Sequence, residues 1–325
     1  MYTTNAWYRT HGYHPPFDTW FVLMWVTFLI MVTGYFGFSL KFIEEDRYYT
    51  KEFFIEDGGI NNVHRQKSTW SFLGILFSSI IIFTCMKVSL TDTSDKRVMK
   101  ESKERDMSYA MVKGIPVVVD GWCSICKSNV GSGTRHCKFC NKCIQGYDHH
   151  CRWLNCCVAE SNYRTFILFV ISTFIASTMS LWLAINAIGM YFNSESKYNY
   201  ELILHNILPS STLNTVFFGL FINILLILLS SIIMAFVGHL LFFHIRLYLM
   251  DMTTVEYLSH QQQRKYYSDN YEDEDDENPW RRPYYHNPRK RWIMSVIRKF
   301  YKLSRCCTRS MNHKSRDRVE YVHNV

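Results

Sequence analysis

Charge is almost absent from four long stretches of this chain, residues 20–40, 70–90, 166–192 and 216–244, in which Lys87 is the one Lys, Arg, Asp or Glu. Each stretch has 21 residues or more, and about 20 apolar residues carry a helix across a bilayer core. Four such runs exclude an ordinary soluble core, whose helices keep a polar face. The first run also lacks the marks of a removed signal peptide. Only Arg9 is basic ahead of it, no small-residue cleavage site ends it, and it is too long for a signal h-region. It is read as the first span. Basic residues are scarce in one loop too: 193–215 has only Lys197, against 12 in 91–165 and 15 in the tail from 251. The 41–69 loop, with 5, points the other way and is outweighed. The positive-inside rule then places both termini and 91–165 in the cytosol.

The expectation is an all-α polytopic membrane protein with four transmembrane helices. A cytosolic segment 1–19 leads into two helices over 20–90, joined by a lumenal loop at 41–69. A cytosolic cysteine-rich domain covers 91–165, two more helices cover 166–250, and a cytosolic tail covers 251–325. The chain has eleven cysteines, and eight of them fall between 123 and 157. In a reducing compartment such a cluster reads as metal ligands or nucleophiles rather than disulfides. Cys123 and Cys126 form one C-x2-C pair, Cys137 and Cys140 a second, and His136 and Cys143 stand close by. Two-residue spacing lets a tight turn aim both sulfurs at one tetrahedral zinc, about 2.3 Å from each. With Cys151, Cys156, Cys157, His149 and His150, the segment offers eleven donors, and two closed zinc sites use eight. A surplus thiol beside a surplus imidazole is the composition of a nucleophile with its base. Spacing alone leaves the assignment open.

The run His136-Cys137-x2-Cys140-x2-Cys143-x4-Asp148-His149-His150-Cys151-x-Trp153-x-Asn155-x-Cys157, followed by Asn162 and Phe166, resembles the cysteine-rich domain of DHHC-type protein S-acyltransferases. The four-span frame and the stretch Thr253, Thr254, x, Glu256, similar to that family's TTxE motif, extend the likeness over most of the chain. The resemblance implies two structural Zn2+ ions, one held by Cys123, Cys126, His136 and Cys143, the other by Cys137, Cys140, His150 and Cys157. It implies Cys151 as nucleophile, His149 as base, Asp148 as the carboxylate that orients the base, and Cys156 as a spare thiol where the family usually has asparagine. The activity it implies is transfer of a palmitoyl group from palmitoyl-CoA, through acyl-Cys151, to cytosolic cysteines of membrane-associated proteins. The acyl chain would enter the bilayer-facing part of the protein, because each CH2 left in water costs about 0.8 kcal/mol. The endoplasmic reticulum or Golgi is the location the family suggests. Arg135, Lys138, Lys142 and Arg152, with Trp153, are the candidate contacts for acyl-CoA, whose phosphates suit cationic donors. Three positions depart from the family pattern: Arg152 replaces a common proline, the stretch 130–135 (VGSGTR) replaces a Pro-x-Arg run, and Ala159 replaces a glycine.

A zinc-bearing membrane adaptor without catalysis is the rival, and the intact Asp-His-His-Cys set is what an adaptor has no use for. A RING-type ligase lacks room for its central spacing, and dispersed basic residues on a membrane-tethered loop argue against nucleic-acid binding. In the tail, 269–277 (DNYEDEDDE) reads as an acidic linker. Asn278-Pro279 and Asn287 faintly resemble a C-terminal family motif. Residues 291–303 put Ile293, Val296, Ile297 and Phe300 on one face of a basic amphipathic helix suited to a membrane surface. Cys306 and Cys307 follow as possible S-acylation sites. No role is assigned to His205, His239 or His244.

Overall fold

A computed structural model describes residues 7–42, 59–101, 117–193, 197, 200–201, 203–204, 213–250 and 252–270. The acidic run from 271 onward, Asn278-Pro279, Asn287, the 291–303 segment, Cys306-Cys307 and His205 lie outside the described residues. The chain divides into two units, Met1–His244 and Ile245–Val325.

Among the described residues four helices are long and apolar enough to cross a membrane: Thr19–Lys41, Ser68–Leu90, Tyr163–Phe192 and Val216–Met250. They lie within α1 (Thr19–Gly37, extended by a 3-10 turn at Ser39–Lys41), α2 (Gly59–Leu90), α4 (Tyr163–Phe192) and α5 (Leu213–Met250). Uninterrupted helices satisfy every backbone N–H and C=O internally, as a bilayer requires. Their outward faces carry Leu29, Phe72, Phe83, Ile232 and Phe242, all exposed on the protein and suited to lipid. Inward contacts are made by aromatic and small residues. Trp70 of α2 stacks on Trp182 of α4 with centroids 4.8 Å apart, and Tyr35 of α1 donates to the carbonyl of Trp70 at 2.9 Å. At Gly34 an added Cβ would collide with Leu226, so α1 and α5 approach as closely as they do only because that position has no side chain.

Between α2 and α4 the chain changes character. After the short helix α3 (Lys96–Glu101), seven strands of two to five residues among the described residues make three small antiparallel sheets. The first joins β1 (Val118–Val119), β2 (Trp122–Cys123) and β3 (Ser128–Asn129). The second pairs β4 (Arg135–Cys137) with β5 (Lys142–Ile144), and the third pairs β6 (Tyr147–Cys151) with β7 (Cys156–Ala159). The β2–β3, β4–β5 and β6–β7 hairpins repeat at a period of fourteen residues. Their turns end on Lys127, Asn141 and Asn155, each in the left-handed region at φ 48°, 49° and 52°. The same offset relates Cys123, Cys137 and Cys151 to one another, and Cys126, Cys140 and Leu154. In the second and third hairpins His136 faces Cys143 and His150 faces Cys157 across the ladder.

The segment 130–135, where the sequence departs from the DHHC pattern, is held by Asp95. Its Oδ2 accepts from Gly131 N and from Thr134 Oγ1, both at 2.7 Å, while Oδ1 accepts from Arg97 N at 2.9 Å. Burial works against this carboxylate, yet the donors keep it below the usual carboxylate range.

A strap from Trp7 to Asp18 crosses the hairpins before α1 begins. The backbone N–H of Arg9 donates to Cys140 O at 2.8 Å. Its guanidinium, on a residue only 5% exposed, reaches the carbonyls of Pro16 at 2.6 Å and Phe139 at 3.4 Å. Asn141 Nδ2 donates to Trp7 O at 2.6 Å and Asn155 Nδ2 to Gly12 O at 2.7 Å. Arg9→Ala would strip a buried cation from the part-buried carbonyls it holds, a loss of about 2 kcal/mol for hydrogen bonds to a charged group. The expected outcome is a lower unfolding temperature of the purified protein in a thermal-shift assay, with metal content unchanged at moderate temperature.

Candidate functional site

The three hairpins are joined in series by two side-chain clusters. Cys123 and Cys126 of the first converge with His136 and Cys143 of the second, and Cys137 and Cys140 of the second converge with His150 and Cys157 of the third. In the first cluster His136 Nδ1 lies 3.7, 3.4 and 3.8 Å from the sulfurs of Cys123, Cys126 and Cys143. In the second His150 Nδ1 lies 3.7, 3.4 and 3.6 Å from those of Cys137, Cys140 and Cys157. Donors around one tetrahedral zinc, at about 2.3 Å for sulfur and 2.0 Å for nitrogen, sit roughly 3.5–3.8 Å from each other. Both clusters therefore have the donor set and the spacing of a closed Cys3His zinc site. Their electrostatics agree. Sulfhydryls of Cys126 and Cys143 hold the Cys123 thiol far below its ordinary range, and those of Cys140 and Cys157 do the same for Cys137. Each site thus favours a thiolate, the form that binds metal.

Repeating the pattern a third time would require a cysteine at 154. Leu154 stands there instead, fully buried with Cys85, Val88, Val158 and Phe166. Cys151 therefore occupies a knuckle position with no cluster to join, and it is half-buried where six of the eight cluster ligands are cysteines with almost no exposure. Its neighbour is His149, whose Nδ1 sits 2.8 Å from Asp148 Oδ2. Asp148 is fully buried. Burial of the His149 ring opposes its charged form, but the Asp148 carboxylate and the Cys151 sulfur outweigh it and raise the imidazole to about 9. Asp148, His149 and Cys151 are thus one contiguous set on β6. Cys156 is different: buried, with its sulfur 3.8 Å from Val88 O, its thiol is pushed well up by desolvation.

Cys151 also lines an apolar cavity of about 570 Å3 that runs between the helices, with walls from Trp25, Phe28, Phe77, Phe169 and Ile233. That size falls in the roughly 300–1,000 Å3 range of small-molecule sites. Phe166, in the sequence pattern, packs edge-on against His149 at 5.4 Å. Asn162 closes the join to the membrane helices: its Oδ1 accepts from Ala159 N at 2.9 Å, and its Nδ2 donates to Cys157 O at 3.0 Å and Val88 O at 3.2 Å.

The residues expected to meet acyl-CoA separate. Arg135 and Lys138 are exposed, Lys138 lying over Phe139 at 5.1 Å. Arg152 is exposed and forks onto Asp18, Nε to Oδ2 at 2.7 Å and an Nη to Oδ1 at 3.2 Å. Trp153 lines the cavity and packs on Trp20 at 4.9 Å. Lys142 does not belong with them. It is 3% exposed, and its ammonium is taken up by Thr10 O and Asp92 Oδ1, both at 3.1 Å, so it is not presented to a phosphate. The reason is the strap, a contact between residues more than a hundred positions apart. In the second unit Thr253 and Glu256 cap α6 (Thr254–Asn270) reciprocally: Thr253 N donates to Glu256 Oε2 at 2.7 Å and Glu256 N to Thr253 Oγ1 at 3.2 Å. This is a capping box.

One residue given no role by the sequence stands inside the site. His244 brings a ring nitrogen within 4.8 Å of donor atoms of both Asp148 and His149. A charge-free apolar run hid it, and the one available signal was that an imidazole inside such a run is expensive.

If both clusters hold zinc, a variant that removes a ligand should lose about one ion and a variant at Cys151, outside both clusters, none. Mass spectrometry of purified protein should find one equivalent fewer in Cys126→Ala or Cys140→Ala, and unchanged metal in Cys151→Ser.

Residues 119–261 match a family model described as DHHC palmitoyltransferase. Comparison with curated proteins finds no match.

Proposed function

The chain belongs to the DHHC palmitoyltransferase family, whose members are protein-cysteine S-palmitoyltransferases, and from that premise we propose a two-step acyl transfer through Cys151. The observation that carries it is the pair of His149 and the buried Asp148, bonded at 2.8 Å, beside a thiol that lines an apolar cavity. A free thiol is only a few per cent thiolate at neutral pH. His149 takes the Cys151 proton, and Asp148 fixes its tautomer and stabilises the imidazolium, the division of labour of a Ser-His-Asp triad.

The Cys151 sulfur attacks the thioester carbonyl carbon of palmitoyl-CoA. A new C–S bond forms, the bond to the CoA sulfur breaks, and CoA leaves carrying the proton from His149. In the second step His149, now neutral, takes the proton of a substrate cysteine, whose sulfur attacks the carbonyl carbon of acyl-Cys151. A new C–S bond forms, the bond to Cys151 breaks, and the Cys151 sulfur takes the proton back from His149. The acyl chain lies meanwhile in the cavity between the helices, out of water. Arg135, Lys138 and Arg152, with Trp153 at the cavity wall, are the residues that would meet the CoA moiety; a phosphate reaching Arg152 would compete with Asp18.

The two clusters hold zinc as structural staples. They fix the hairpin that carries Cys151, and their closed donor sets leave no open position for substrate. The cysteine-rich domain and both termini face the cytosol, in the endoplasmic reticulum or Golgi membrane, where membrane-associated proteins present their cysteines.

The test is acyl-enzyme formation with labelled palmitoyl-CoA. Wild type should take up label that hydroxylamine removes, Cys151→Ser should fall to background while retaining two zinc ions, and Cys156→Ala should label. Hydroxylamine-labile label persisting in Cys151→Ser would overturn the assignment of the nucleophile. Absence of label from folded, zinc-loaded wild type would favour a non-catalytic adaptor.

A further inference from the structure

His149 Nδ1 lies 2.8 Å from its orienting carboxylate, and a bond through Nδ1 sets the tautomer without by itself setting the plane of the ring. The ring plane is set by what packs on it. On one side is the edge of Phe166, at 5.4 Å and 70°. On another is the imidazole of His244, with centroids 5.9 Å apart. Phe166 meets His244 in the same edge-on manner, at 5.3 Å and 72°. The two imidazoles and one phenyl ring thus form a closed group around the base.

His244 is itself held. It is 3% exposed near the end of α5, and its Nδ1 lies 3.0 Å from the hydroxyl of Tyr163 in the first turn of α4. With Nδ1 engaged by that hydroxyl, the ring has a defined rotamer and its polar edge stays with the Asp148–His149 pair, all three donor groups lying within 4.8 Å of each other. Asp148 is a carboxylate with no exposure, and a buried charge needs polar neighbours on more than one side. An imidazole buried in a membrane helix is costly unless it serves such a purpose.

We propose that His244, clamped by Tyr163, is a positioning residue that holds the Asp148–His149 pair in register with Cys151. This rests on the assignment of Cys151 and His149 above. The arrangement has a mechanical consequence. β6 carries the nucleophile, whereas α4 and α5 form walls of the cavity, so the Tyr163–His244 link ties the base to the helices that hold the acyl chain. A thioester bound in the cavity then meets a sulfur and an imidazole registered to the same frame.

The experiment measures the rate of acyl-enzyme formation against palmitoyl-CoA concentration for full-length wild type, His244→Phe, His244→Asn and Tyr163→Phe, with zinc content checked in each. His244→Phe keeps a planar ring and removes the polar edge. The expected result is a fall in the maximal acylation rate, on the order of 10²-fold, the scale of a misplaced catalytic group. The palmitoyl-CoA concentration for half-maximal rate should stay within about twofold of wild type, since positioning acts on the chemical step. His244→Asn, which restores a donor and an acceptor, should recover a large part of that loss. Tyr163→Phe should show a smaller loss of the same kind, and the double variant should be no slower than His244→Phe alone, because the two act in series. A wild-type maximal rate in His244→Phe would overturn the proposal. So would a loss that His244→Asn fails to relieve, or one confined to the half-saturating concentration. Failure of the catalytic assignment is read separately, by label that survives in Cys151→Ser.

Discussion

Eight donor atoms converge into two Cys3His clusters, and these join the hairpins of the cysteine-rich region to one another. Its strands run from two to five residues, too short for ladders that would stand alone. Each Cys3His cluster draws two ligands from one hairpin and two from the next, so the hairpins form a chain in which none is positioned without its neighbour. The third hairpin, at the end of that chain, carries Asp148, His149 and Cys151. Its placement inherits the geometry of both clusters. The strap from Trp7 to Asp18 and the Asn162 network then fasten the hairpins to the ends of α1, α2 and α4.

The unclustered thiol of Cys151 arises from an interrupted repeat. Two knuckles present cysteines at the first and fourth turn positions, while the third presents Cys151 and Leu154. Replacing one thiol with a buried isobutyl group removes the possibility of a third closed site and gives the hairpin a hydrophobic anchor in its place. A sulfur that would otherwise be a metal ligand is left beside an imidazole. Cys151 lines the cavity, so the apolar anchor, the thiol and an apolar space between the helices meet there.

Local spacing and composition reveal much of this. The four spans follow from the absence of charge, and the pairing of eight donors follows the likeness to DHHC proteins. The fourteen-residue offset was also present in the sequence, in Cys123, Cys137 and Cys151 and in the left-handed Lys127, Asn141 and Asn155. It is easily passed over because the metal-ligand pattern crosses hairpin boundaries while the structural repeat does not. The basic residues were less legible. Arg135, Lys138, Lys142 and Arg152 look alike in the sequence, but strap and helix contacts leave Arg135 and Lys138 in solvent, put Arg152 against Asp18 and bury Lys142.

What the sequence determined by itself is whatever depends on neighbours along the chain: helices long enough to span a bilayer, turns that bring paired cysteines together, and an Asp-His pair close enough to bond. Tertiary structure alone decided what depends on distant partners. His244 is ninety-six residues from Asp148 and sits in a stretch whose composition describes only its fit to lipid. Its place beside His149 follows from where α5 packs. The same holds for Lys142 and the strap. Hydropathy and spacing are additive along the chain, whereas burial and hydrogen bonding between remote side chains exist only once the helices and hairpins have closed on one another.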